Sequence, residues 1–206
     1  MPPVFNTCYI TDRHALAPRP LLPVIAEAIG AGVDLVQIRE KDLATRDLLK
    51  LVDDAVHATA GTSTRVVVND RLDVAAAAGA AGVHLGTHSL PAHIARQHAP
   101  DGFLIGVSCH SLEEAFAAER AKADYILLGP IFETPSKLAY GPPLGLEVLR
   151  EVAVRVELPI LALGGITVER VKRCFEAGAV GIAGISIFQS APSLAARVGE
   201  LRSQFP

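Results

Sequence analysis

Residues 159–186 open with Pro159-Ile160-Leu161-Ala162-Leu163-Gly164-Gly165-Ile166, pass through Thr167-Val168-Glu169-Arg170, and end in Val180-Gly181-Ile182-Ala183-Gly184-Ile185-Ser186. The first apolar run, stopped by paired glycines, reads as a buried strand. Thr167 reads as an N-cap with Glu169 in the first helical turn, ahead of Val171 and Phe175. A second strand follows, so the stretch is one strand–helix–strand unit. The same rhythm runs along the whole chain. Strands are expected over Phe5–Thr11, Asp34–Arg39, Arg65–Asn69, Gly82–Leu85, Leu104–Ser108, Tyr125–Leu128, Pro159–Leu163 and Val180–Ala183. Helical patterns lie between them. Leu21–Ile29 runs into the stop signal of Gly30 and Gly32, and Thr45-Arg46-Asp47 opens a segment with Leu48, Leu49, Val52 and Val56 on one face. Ser111-Leu112-Glu113-Glu114 places a cap and early carboxylates before Ala115, Ala118 and Ala121, and Ala75–Ala78 is good helix. Eight units in 206 residues leave about 25 residues each, which suits a closed (β/α)8 TIM barrel at the short end of its range. The fold class expected is therefore α/β, one barrel domain over residues 1–206. An open doubly wound sheet is the alternative, but no Gly-x-Gly-x-x-Gly follows the first strand.

Composition narrows the function. Half of the residues are apolar and 20% charged, with a net charge of −3, which excludes a disordered chain. No apolar stretch reaches the roughly 18 residues that mark a membrane span. Met1-Pro2-Pro3-Val4-Phe5-Asn6 lacks a basic and then apolar leader, so no signal peptide is expected. Three cysteines far apart (Cys8, Cys109, Cys174) make no disulfide framework and suit a reducing cytoplasm. With no Lys/Arg cluster and no Trp, neither a nucleic-acid nor a membrane surface is expected. The expected partners are small-molecule substrates, and homo-oligomer formation stays open.

In such a barrel, chemistry sits where strands end. The two-residue period of Asp34-Leu35-Val36-Gln37-Ile38-Arg39 turns Val36 and Ile38 toward helices and Gln37 and Arg39 toward the barrel mouth. Lys41 joins them if the extended geometry persists. Two cations beside an amide make an anion site, unless Arg39 is paired with Glu40 or Asp42. Asn69-Asp70 ends the third strand, and Asp70 either binds Mg²⁺ or caps the next helix. Further strand ends carry His84, Ser108, Cys109 and His110. Adjacent residues on a strand point oppositely, so Cys109 and His110 are not a nucleophile–base pair, and Cys109 reads as a small buried side chain. The segment 129–143 is long for a connection and reads as a lid or substrate loop. Gly164-Gly165 and Gly184-Ile185-Ser186, after strands seven and eight, read as a phosphate site built from backbone N–H groups.

Together these stretches resemble the thiamine-phosphate synthase/thiazole tautomerase (TenI) family across nearly the whole chain. The resemblance rests on Tyr9-Ile10-Thr11-Asp12, Gln37-Ile38-Arg39-Glu40-Lys41, Asn69-Asp70 and Gly82-Val83-His84-Leu85-Gly86. It continues through Gly106-Val107-Ser108-Cys109-His110-Ser111, Ala123-Asp124-Tyr125, Gly129-Pro130-Ile131-Phe132, Thr134-Pro135-Ser136-Lys137 and Gly164-Gly165-Ile166. It implies joining of hydroxymethylpyrimidine diphosphate to thiazole phosphate, with diphosphate leaving before the thiazole nitrogen attacks. By that resemblance Arg39, Lys41 and Lys137 hold diphosphate, while Gln37, Asn69 and Ser108 help hold pyrimidine and diphosphate. Asp70 ligates Mg²⁺, Thr134 and Ser136 contact thiazole phosphate, and backbone groups of Gly165, Ile185 and Ser186 take its phosphate.

One departure stands out. The synthase pattern has a second magnesium carboxylate shortly after the strand-four His-x-Gly; here the stretch is Thr87-His88-Ser89-Leu90-Pro91, with Ser89 in its place. His88 and Glu133 stand open as substitutes. The tautomerase branch commonly lacks this acid, needs no metal, and moves a proton with the histidine matching His110. The retained Gln37, Arg39, Lys41, Asn69, Asp70 and Lys137 favour the synthase, since a tautomerase has no diphosphate to hold. A non-catalytic thiazole-phosphate-binding protein is the alternative of another class.

Overall fold

The computed structural model describes residues 5–134 and 142–205. Eight parallel strands close into a barrel in sequence order. The chain runs through β1 (Thr7–Ile10), α1 (Arg13–Leu16), α2 (Leu21–Gly30), β2 (Leu35–Ile38), α3 (Thr45–Ala58) and β3 (Arg65–Asn69). It continues with α4 (Leu72–Ala77), β4 (Gly82–Leu85), α5 (Ala92–His98), β5 (Leu104–Cys109), α6 (Leu112–Arg120) and β6 (Tyr125–Leu128). Last come α7 (Gly145–Arg155), β7 (Ile160–Leu163), α8 (Val168–Glu176), β8 (Gly181–Gly184), α9 (Ser186–Gln189) and α10 (Leu194–Arg202). Closure is direct: Cys8 of β1 stands opposite Leu35 of β2 and Ala183 of β8.

The strand period sorts side chains into two apolar shells. Cys8, Ile10, Leu35, Val67, Leu104, Tyr125, Leu127 and Leu161 fill the interior. Val36, Ile38, Val66, Val68, Ile126 and Leu128 pack against helix residues such as Ile25, Val52 and Leu149. Each such side chain taken fully out of water contributes about 1.5–3 kcal/mol. Leu35 inside and Val36 and Ile38 outside is the parity that aims Gln37 at the mouth.

One alternative falls away and one expectation is corrected. Asp70 does not cap α4: Arg71 holds the cap position, and no side chain caps that helix. Thr167 is extended at the α8 cap position, but its hydroxyl makes no cap bond. Ser111 does cap α6, accepting from the Glu114 N–H at 3.2 Å. Among the described residues, no helix is long and apolar enough to cross a membrane.

Candidate active site

At the mouth between β2, β3 and β4, one chain of hydrogen bonds links four side chains. Gln37 Nε2 donates to Asn69 Oδ1 at 3.0 Å, and Asn69 Nδ2 donates to Asp70 Oδ2 at 2.6 Å. The Ser89 hydroxyl donates to Asp70 Oδ1 and accepts the Gly86 N–H at 2.6 Å. Asp70 sits at φ 63°, a left-handed conformation that costs on the order of 1 kcal/mol outside glycine. The network therefore holds an exposed carboxylate up at the strand end. Among the described residues, Gln37 Oε1 is buried with no hydrogen-bond partner, whereas buried acceptors are ordinarily met by a donor.

Strand β2 ends at Ile38, so the extended geometry stops short of Lys41, which lies in an exposed turn. The acids that alternate with the cations are drawn off elsewhere. Glu40 is 4% exposed, takes the Thr11 hydroxyl at 2.7 Å, and is paired with the Arg13 guanidinium at 3.2 Å. Asp42 receives Arg13 Nη2 at 2.6 Å and lies 2.9 Å from His14 Nε2. Hydrogen bonds from Arg13 and His14 hold its carboxyl far below the usual carboxylate range. Thr11 Oγ1 also accepts the Arg39 N–H at 2.9 Å. Among the described residues, neither Arg39 nor Lys41 has an acidic partner, so pairing of Arg39 with Glu40 or Asp42 is not what forms.

Across the mouth, His84 Nε2 lies 2.9 Å from Ser108 Oγ, and its Nδ1 lies 3.2 Å from the Tyr125 hydroxyl. Burial, opposed by Asp70 and reinforced by Arg39, pushes the His84 pKa down to about 3. The ring is neutral near pH 7. Burial raises the Cys109 thiol to about 12, so it is an inert core group. His110 turns away from both neighbours: Glu114 Oε2 accepts its backbone N–H at 2.6 Å and lies 3.1 Å from its Nδ1. Among the described residues, its Nε2 has no hydrogen-bond partner.

After β7, Gly164 and Gly165 adopt φ 95° and 63°, and a Cβ on Gly165 would stand 2.6 Å from the Glu133 carbonyl oxygen. The Gly165 carbonyl accepts Arg170 Nη1 at 2.6 Å, and that guanidinium lies 4.6 Å above the Phe132 ring. After β8, Ile185 precedes α9, so the N–H groups of Ser186 and Ile187 lack helical partners. Thr134 is half-buried, while Ser136 and Lys137 lie outside the described residues. Among the described residues, the His88 and Glu133 side chains are exposed and neither is paired with Asp70.

The structure thus joins Gln37, Asn69, Asp70 and Ser89 in one network and Ser108 with His84 in another. It does not join His110 to Ser108 or Cys109. Sequence reasoning missed Arg13, Tyr125, Glu114 and Arg170. Glu114 had a signal, the Ser-x-x-Glu spacing of a capping box. Arg13 had none, because its acids lie 27 and 29 residues away.

The thiamine monophosphate synthase family (TMP-TENI) matches residues 7–188. A thiamine-phosphate synthase of Methanoculleus marisnigri is 44% identical over 200 residues, covering 97% of this chain and 95% of its own length. One from Roseiflexus castenholzii is 40% identical over 183 residues, covering 89% and 80%. A solved thiamine phosphate pyrophosphorylase from Pyrococcus furiosus superposes with a TM-score of 0.87 at 34% identity, over 97% of this chain and 95% of that one. Sequence match, barrel topology and shared length agree, and the chain belongs to the thiamine monophosphate synthase family.

Proposed function

We propose that this protein is a thiamine-phosphate synthase, a transferase that joins hydroxymethylpyrimidine diphosphate to thiazole phosphate and releases diphosphate. The observation that carries this reading is the pair Arg39 and Lys41, which among the described residues have no acidic partner, while Arg13 binds Glu40 and Asp42. Cations kept free at a barrel mouth suit a diphosphate whose negative charge grows as its bond to the pyrimidine breaks. The carbon–oxygen electron pair leaves with the diphosphate, and the thiazole nitrogen lone pair forms the new carbon–nitrogen bond. Gln37 Oε1 would accept an N–H of the pyrimidine, and Asn69 would hold Gln37 in register. Ser108 would bind the same substrate. The backbone of Gly165, Ile185 and Ser186 would take the thiazole phosphate, with Thr134 and Ser136 beside it. Lys137 completes the diphosphate contacts by family resemblance.

The residues present fit Mg²⁺. One carboxylate plus substrate phosphate oxygens meets the ion's usual demand, and Asp70 is held exposed by Asn69 and Ser89. Bound there, the ion would supply charge stabilisation to the departing diphosphate. We place the protein in the cytoplasm, where its three buried free thiols stay reduced.

The test is thiamine phosphate formation from the two substrates with Mg²⁺, read by fluorescence after oxidation. Product that disappears with EDTA supports the synthase, and no product on protein that binds thiazole phosphate refutes it. A second reading, thiazole tautomerase, draws on His110, whose Nδ1 is held by Glu114 and whose Nε2 has no partner among the described residues. On that reading His110→Ala abolishes proton transfer without loosening thiazole phosphate. Binding with neither activity leaves a non-catalytic binder.

A further inference from the structure

Tyr125 and His84 are fully buried inside the barrel, and the proposed chemistry gives neither of them a task. The space they occupy is reserved for them: a Cβ on Gly106 would collide with the Tyr125 ring and hydroxyl and with His84 Nδ1. Tyr125 comes from β6, His84 from β4 and Ser108 from β5, three adjacent strands. The groups form a line, with Tyr125 OH 3.2 Å from His84 Nδ1 and His84 Nε2 2.9 Å from Ser108 Oγ.

The direction of that line follows from counting protons. A neutral imidazole has one N–H and one acceptor nitrogen. If Nδ1 carried the proton, the Tyr125 hydroxyl hydrogen would be buried with no acceptor among the described residues, a costly orphan. The hydroxyl therefore donates to Nδ1, and the ring proton sits on Nε2. Nε2–H then donates to Ser108 Oγ, one of whose lone pairs is spent. The serine's own hydrogen is turned away from His84, toward the mouth where Ser108 is half-buried.

We propose that Tyr125 and His84 form a directed hydrogen-bond chain that commits the Ser108 hydroxyl to donating toward the ligand, so that this point of the site selects a lone-pair acceptor. His84 and Tyr125 are positioning residues, acting through Ser108. Assignment of that acceptor to the pyrimidine diphosphate substrate rests on the synthase reading; the chain itself does not.

Two measurements on the full-length protein decide it. NMR of protein carrying isotope-labelled histidine, with His84→Gln to assign the signal, should show His84 protonated at Nε2 and bare at Nδ1. Tyr125→Phe should mix the two tautomers. An Nδ1-protonated ring in the wild type, or a tautomer indifferent to Tyr125→Phe, overturns the chain. In the synthase assay Tyr125→Phe should lower kcat about tenfold, the scale of one hydrogen bond. In a Ser108→Ala background the same change should cost less than about twofold. Full losses in both backgrounds mean that Tyr125 acts on packing alone, and an unchanged kcat removes the positioning role. Wild-type protein that makes no thiamine phosphate refutes the synthase reading instead, while the ring spectrum still decides the chain.

Discussion

Arg13 is engaged by Glu40 and Asp42, and on the proposed reading that leaves Arg39 and Lys41 to a ligand. Its guanidinium holds Asp42 and the buried Glu40, the two acids that alternate with the cations along the chain. Replacement by methionine would release Asp42 to compete for the same cations. Arg13→Met should weaken binding of inorganic diphosphate about tenfold in calorimetry, the scale of one charge-assisted contact. Adding Asp42→Asn should recover most of it, because both variants lose the Glu40 partner and differ only at the exposed acid. A double variant as weak as the single would show that Arg13 only supports the fold. Ser89 is the second decisive residue. Its hydroxyl touches Asp70, so an aspartate there would place a second carboxylate against the first. Two such acids repel without a cation and share one gladly. Ser89→Asp should lower the Mg²⁺ concentration for half-maximal synthase rate roughly tenfold. An unchanged Mg²⁺ dependence would remove Asp70 as the metal ligand.

Strands were the most legible elements because their signals are local. Arg65–Asn69, Gly82–Leu85 and Tyr125–Leu128 have the bounds expected from their apolar runs. The first strand is shorter, Thr7–Ile10 instead of Phe5–Thr11. Thr11 still keeps a backbone bond to Gln37, but its side chain is drawn to Glu40. The inward aim of Gln37 was legible from parity, whereas the buried partner of Ser108 was not. His84 and Ser108 are 24 residues apart and meet only because β4 pairs with β5. The β7 connection joins both kinds of information. Paired glycines announced a tight turn, and the structure adds that Gly165 is pressed against the Glu133 carbonyl and tied to Arg170. Gly165→Ala would bring a Cβ into that contact at positive φ, with strain above about 1 kcal/mol. The KM for thiazole phosphate should rise about tenfold, with kcat at saturation nearly kept. An unaltered KM would take the phosphate away from this turn.

Closure of the whole barrel puts a neutral imidazole where no water reaches it, and that sets a pH limit on the fold. Asn6 stitches the first strand to both neighbours, its N–H donating to Asp34 and its side-chain amide to the Val180 carbonyl. The ring lies inside this closed wall of strands, with His84 at 1% exposure and a pKa of about 3. An unfolded histidine titrates near 6.5. Between those two values the unfolded chain holds a proton that the folded chain refuses, so stability rises with pH across this window and falls as pH is lowered. The slope approaches about 1.4 kcal/mol per pH unit once pH is well below 6.5. Lowered carboxyl groups such as Asp73 and Glu169 work in the same direction, but only nearer their own unfolded range around 4. Between pH 6.5 and 5 the loss should therefore belong mainly to His84. Urea unfolding at pH 7 and pH 5 should show a clear drop for the wild type and a smaller one for His84→Gln, which has nothing to protonate. Equal drops in the two proteins would mean that the ring accepts a proton in the folded state, and would count against both a buried neutral ring and a directed line from Tyr125 to Ser108.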